Sequence, residues 1–129
     1  MAVRVYPFER KRLSDFPDDH SFCDYIIFAR NTTDEYVHRF CRLDPIETTM
    51  TRQVNVGIVE EFGELFREMC DRLHSRIRNH ILLTQPLPRI YRQHKKNLLD
   101  DFKGFIEMLN TLERKIAMIE ANVAAMRAH

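Results

Sequence analysis

The stretch Leu98-Leu-Asp-Asp-Phe102-Lys-Gly-Phe105-Ile-Glu-Met-Leu109-Asn-Thr-Leu112-Glu-Arg-Lys-Ile116-Ala-Met-Ile119-Glu-Ala-Asn-Val123-Ala-Ala-Met126 decides the fold class. Leu98, Phe102, Phe105, Leu109, Leu112, Ile116, Ile119, Val123 and Met126 alternate spacings of four and three without a miss. That repeat keeps an apolar seam turned toward a partner helix as two helices supercoil. It puts Phe102, Leu109, Ile116 and Val123 at heptad position a, and Leu98, Phe105, Leu112, Ile119 and Met126 at d. Leu99 and Ile106 at e, with Met108 at g, widen the stripe early, as a bundle of three or more helices requires. Glu113, Lys115 and Glu120 then occupy e and g and read as the charged flanks of a narrower coil.

Upstream, Gln85-Pro86-Leu87-Pro88 breaks any helix, because prolines there remove backbone donors and clash with the preceding turn. A second helix is expected before this break. Asp44-Pro45-Ile46-Glu47 has the composition of a start, with Asp at the N-cap, Pro at the first helical position and Glu at the third. From there Ile58, Val59, Phe62, Leu65, Phe66, Met69, Leu73, Ile77 and Ile81 form an apolar stripe. The two helices, each roughly 55 Å long at 1.5 Å per residue, are expected to fold back on one another. Residues 44–129 thus read as a long helical hairpin with its coiled coil over 98–126.

Before the hairpin, residues 18–43 read as a shorter helical segment. Phe22, Tyr25, Ile26, Ala29, Thr33, Tyr36, Val37, Phe40 and Leu43 recur at helical spacing, with Ser21 and Asp24 as a capping start. Asn31-Thr32-Thr33 is a point where this segment divides into two short helices, and Tyr25-Ile-Ile-Phe28 taken alone also fits a strand. Residues 1–17, with Pro7 and Pro17 and no period, read as an extended arm, with a short strand at Val3 to Tyr6 as an option. The class is all-α.

The chain has 129 residues, 44% apolar and 30% charged, with three glycines and five prolines. This is a folding composition with few turns and long elements. A formal charge of +1 sets up no global field for nucleic acid or membrane. No membrane span and no signal-peptide core is expected. Cys23, Cys41 and Cys70 are odd in number and widely spaced, which fits reduced thiols inside the cell better than a disulfide framework or a zinc site. An intracellular, cytoplasmic setting is therefore expected, and import into mitochondria without a recognisable leader stays compatible with the sequence.

Charge is uneven along the chain. Asp44 to Asp71 is acidic, whereas Arg72 to Leu99 contains no acid at all. Arg72, Arg76, Arg78, Arg89, Arg92, Lys95 and Lys96 are thus expected to gather at the hairpin tip. Arg72 to Arg78 suit the C-terminal end of a helix, but Arg89 to Lys96 stand in first turns, where the macrodipole opposes positive charge. The plain reading is a solvated basic end. The functional one is an acidic partner: a protein surface, a nucleic-acid backbone or an anionic head group.

Catalytic chemistry finds little support. Cys70 and His74 share a helix face, yet a thiolate–imidazole pair needs a third orienting group and a pocket. Asp71 and His74 have the i, i+3 spacing found in di-metal bundles, without the second motif those sites need. Glu60, Glu64 and Glu68 read as a solvated stripe. Gly57, Gly63 and Gly104 lie within helical patterns and serve close approach or a kink. No glycine-rich phosphate loop or nucleophile elbow occurs, and no cofactor or metal is expected.

The segment Leu109-Asn-Thr-Leu-Glu-Arg-Lys-Ile-Ala-Met-Ile-Glu-Ala-Asn-Val123 resembles the C-terminal coil of the small Brick-type subunit of the WAVE actin-regulatory complex. It is similar, more loosely, to the coiled-coil subunit of the WASH complex. The resemblance covers roughly fifteen residues at heptad positions any coil would choose, and the first part of the chain has no counterpart in that subunit. It implies a non-catalytic strand in a helical bundle with larger partners. The expected function is a scaffolding subunit of a hetero-oligomeric assembly, joined through the 98–126 seam. The alternative is an accessory subunit of ribosomal or ribonucleoprotein type using the basic tip, though Tyr91 is the only aromatic among those cations.

Overall fold

The computed structural model describes residues 3–42 and 50–128, apart from the side chains of Met50 and Thr51. Within these residues the chain forms three helices: α1 (Asp19–Cys41), α2 (Met50–Leu82) and α3 (Ile90–Arg127). They are preceded by an extended arm and a 3-10 turn at Leu13–Asp15. There is no strand among the described residues, so neither Val3 to Tyr6 nor Tyr25 to Phe28 is one.

Helix α1 starts one residue after Asp18, whose side chain accepts a hydrogen bond from the Ser21 backbone N–H at 2.8 Å. That bond, with the neighbouring Ser21 hydroxyl, holds the Asp18 carboxyl below the usual carboxylate range. The cap is therefore Asp18 with Ser21, not Ser21 with Asp24. The correction has a simple cause: Asp18 is extended, and only an extended residue can turn its side chain onto the free amides of the first turn. Asn31-Thr32-Thr33 does not divide this helix, which runs unbroken. Thr33 is fully buried and continues the core-facing stripe. The expected start at Asp44-Pro45 lies outside the described residues.

The break between α2 and α3 falls where the prolines require it. Thr84 takes a left-handed conformation, φ 51°, and the amides of Thr84 and Gln85 cap the carbonyls of Ile81 and His80. At 33 and 38 residues, α2 and α3 are about 50 and 57 Å long.

Ion pairs and ring contacts give the packing order. Arg30 meets Asp71 and Arg67 meets Asp34, so α1 and α2 are antiparallel. Phe62 stacks on Phe105 and Phe66 on Phe102, so α2 and α3 are antiparallel as well. Lys95 pairs with Asp19 while Tyr25 meets Phe102, so α1 and α3 run parallel. The hairpin α2–α3 is thus two-thirds of an up-down-up bundle, and the more intimate partner of α2 is α1. At Gly63 the two backbones approach so closely that a Cβ would stand 2.5 Å from Val37 Cγ2. Gly57 and Gly104 face open space and have no such role.

The arm fills the groove between the parallel helices α1 and α3. Phe8 packs edge-on against Phe102, Tyr6 against Tyr36, and Phe16 against Phe22. The Tyr36 hydroxyl donates to the Pro7 carbonyl at 2.7 Å, and Arg39 donates to the Val5 carbonyl at 3.0 Å. Asn110 clasps the arm backbone, accepting from Tyr6 N–H at 2.8 Å and donating to Tyr6 C=O at 3.2 Å. The core therefore lies among α1, α2, α3 and the arm, with Phe22, Phe40, Phe102, Phe105, Ile77 and Leu109 at its centre.

Candidate interaction surface

The heptad row of α3 divides into two parts. Leu98, Phe102, Phe105, Leu109 and Ile116 are buried by the chain itself, and Leu112 is partly buried against the same core. Beyond Ile116 the row continues in sequence but not in burial. Ile119 is 44% exposed, Val123 40% and Met126 77%. Helix register explains the change. Arg52, near the start of α2, lies opposite Glu113, so α3 runs past the first residue of α2 by about a dozen residues, or ~18 Å.

A second apolar row adjoins this overhang. Val54, Ile58, Phe62 and Leu65 follow spacings of four, four and three on α2 and are all exposed. Phe62 lies at the α2–α3 seam, because its ring stacks on Phe105 at 5.7 Å. On α3, Met108, Leu112, Ile119 and Met126 share one face at four- and seven-residue spacing. The expected α2 stripe is thus split: Val59, Phe66, Leu73 and Ile77 are buried, while Ile58 and Leu65 face outward.

Where the covered seam meets the open one, a polar network crosses the core. Arg52 donates from both terminal nitrogens to the Glu113 carboxylate at 2.7 Å each. The Tyr6 hydroxyl donates to the same carboxylate at 2.8 Å. The guanidinium also lies over the Phe40 ring, 5.0 Å from its centroid. Burial and the neighbouring carboxylate push the Tyr6 hydroxyl far above its ordinary range, and the hydrogen bond to Glu113 holds the Arg52 guanidinium above its own. Glu113 was expected on the charged flank of a coil, yet it is buried, as are Leu99 and Ile106 on the same heptad row. The reason is the arm, which occupies that side of α3 and turns position e into core. Lys115 is exposed, as a flank residue should be, and Glu120 is partly so. No periodicity singled out Tyr6 or Arg52; the weekly recurrence of Leu99, Ile106 and Glu113 was the usable signal.

The basic residues do not form one patch. Arg72 and Arg76 line a recess with His94 between α2 and α3. Arg89, Arg92 and Lys95 line another with Asp18 and Asp19. Lys95 is committed within the chain, 2.7 Å from Asp19 and over the Phe22 ring. Arg78 and Lys96 are exposed.

The weak catalytic candidates take structural places. Cys70 is fully buried, and burial pushes its thiol up to about 12, against thiolate formation. Asp71 is taken up by Arg30 at 2.9 Å, and His74 is partly buried. Glu60, Glu64 and Glu68 are exposed. Among the described residues no three His, Cys, Asp or Glu side chains are gathered for a metal, and no helix is long and apolar enough to cross a membrane. No protein-family model matches the chain, and no curated protein or solved structure matches it at a significant level.

Proposed function

We propose that this chain is a non-enzymatic scaffolding subunit of a hetero-oligomeric complex, and that it docks helices of partner proteins on the open end of α3 and the adjoining face of α2. One observation carries the reading. The heptad row continues past Ile116 into Ile119, Val123 and Met126, which the described residues leave exposed. Solvent gives no reason to keep an a/d row of this quality, whereas a partner helix does. The parallel row of Val54, Ile58, Phe62 and Leu65 provides a second wall, so an incoming helix would contact α2 and α3 together. A WAVE- or WASH-type assembly is the specific complex that the likeness of 109–123 favours, with the chain as one strand of a larger bundle.

A nucleic-acid role for the basic tip is the lesser reading. Lys95 is neutralised by Asp19, and Arg72 and Arg76 line a different recess from Arg89 and Arg92.

The test is the pair Ile119→Asp and Val123→Asp in the full chain. Both sites are solvent-facing, so helicity and melting temperature should hold, while self-association in sedimentation and co-purification of coiled-coil proteins from native extract should be lost. A wild-type chain that sediments as a monomer, and co-purifies the same proteins as the double variant, would remove the proposal. Nuclease-sensitive partners, retained in the variant, would move the reading to the basic tip.

A further inference from the structure

A recess of about 770 Å³ opens between the arm and the outer face of α3. Arg10, Lys11 and Arg12 line it from the arm, and Arg92, Lys96 and Lys103 from the helix. Asp100 is the one carboxylate among its described lining residues. Phe8, Tyr25, Leu13 and Leu99 give it apolar walls. Two of the cations are partly committed, Lys11 to Glu9 at 3.3 Å and Lys103 to Glu107 at 3.7 Å. No described carboxylate stands in ion-pair range of Arg10, Arg12, Arg92 or Lys96.

Folding alone does not account for this arrangement. Bringing like charges from two distant segments to one recess works against the fold. Arg92 also stands in the opening turns of α3, where the helix terminus is itself positive and the first turn holds no acidic residue. The arm cannot swing away cheaply, because Phe8 packs on Phe102, Tyr36 holds the Pro7 carbonyl, and Asn110 clasps the Tyr6 backbone. The two segments that carry the cations are thus fixed against one another in advance of any ligand, which lowers the ordering cost of anion binding.

We propose that this recess binds a compact polyanion bearing several phosphate groups, free in solution or as the head group of a lipid. Its volume falls within the few-hundred to one-thousand Å³ range of small-molecule sites. Three arginines offer planar, paired donors that match phosphate oxygens. An extended acidic peptide spreads its charges at about 3.3 Å per residue and would need a groove, not a recess with cations on facing walls.

Isothermal titration of the full chain with sodium tripolyphosphate tests this. We expect one saturable site per chain, weakened at least about tenfold by Arg92→Glu with Lys96→Glu, and equally by Arg10→Glu with Arg12→Glu. Arg78→Glu, exposed and outside the recess, should leave binding unchanged. Where circular dichroism shows a charge reversal unfolding the chain, the glutamine versions replace it. Flotation with phosphatidylcholine vesicles, with and without phosphatidylinositol bisphosphate, separates the sources. Capture only by the phosphoinositide vesicles, with no tripolyphosphate heat, assigns the head group; saturable tripolyphosphate binding assigns free phosphate chemistry. The proposal is overturned if neither probe binds, if phosphatidylserine vesicles are captured equally well, or if Arg78→Glu weakens binding as much as the recess variants do.

Discussion

Replacing Glu113 with leucine should unsettle the fold more than any surface change. The carboxylate receives two bonds from Arg52 at 2.7 Å and one from Tyr6 at 2.8 Å. The Arg52 and Glu113 side chains are only 7% and 2% exposed, so water neither screens the pair nor replaces a lost partner. Removing one half of a buried pair costs about 3–5 kcal/mol, mostly because the other charge stays buried without compensation. Arg52 would keep its place over the Phe40 ring and its 3.4 Å contact with the Phe40 carbonyl, which argues for the lower end, about 3 kcal/mol. Against a total of about 5–15 kcal/mol for a domain this is a large share. Replacing Arg52 by methionine in the same chain takes that charge away and should recover part of the loss, while the buried Tyr6 hydroxyl, its acceptor gone, keeps a deficit of about 1 kcal/mol or more. Urea unfolding followed by helical circular dichroism measures both. A loss under about 1 kcal/mol for Glu113→Leu, or a double variant less stable than the single one, refutes the reasoning.

Two further predictions concern close packing and alkaline pH. Gly63→Ala should lower stability by about 1 kcal/mol or more, since overpacking against Val37 outweighs the helix-propensity gain. Gly104→Ala, with open space at its Cβ, should raise it by about 0.5–1 kcal/mol, and thermal melts of the two must shift in opposite directions. Burial raises the Cys70 thiol to about 12 and the Cys41 thiol to about 11, from 9.0 for each when unfolded. Above about pH 9 the unfolded chain sheds these protons while the native chain keeps them, so stability is full below that pH and falls as pH rises toward 12. Urea midpoints at neutral pH and near pH 11 read the effect, and Cys70→Ala should flatten the slope; an unchanged slope in that variant would count against the buried thiol.

Local periodicity made much of this molecule readable. The four-three spacing of Leu98 to Met126 and the prolines at 86 and 88 placed α3 and the break before it, because helical register and proline geometry are properties of neighbouring residues. The arm was legible only as lacking a period. Its role arises from contacts made across the whole chain, such as Tyr6 with Asn110 and Glu113, and no local pattern encodes them. The same gap hid the cationic recess. Arg10 to Arg12 and Arg92 to Lys103 look like separate charge clusters until the arm is laid against the helix. Cap placement failed for a smaller reason: Asp18 and Ser21 both carry capping oxygens, and the backbone turn alone decides which one begins the helix.

The clasp between Tyr6 and Asn110 spans 104 positions of the polypeptide. During synthesis the arm leaves the ribosome well before the helix that clasps it, with α1 and α2 made in between. The two earlier helices can pair while the ribosome is still working, but the groove that receives the arm does not exist until α3 is extruded. Closing so long a loop is entropically late, so the arm should be the final piece to settle.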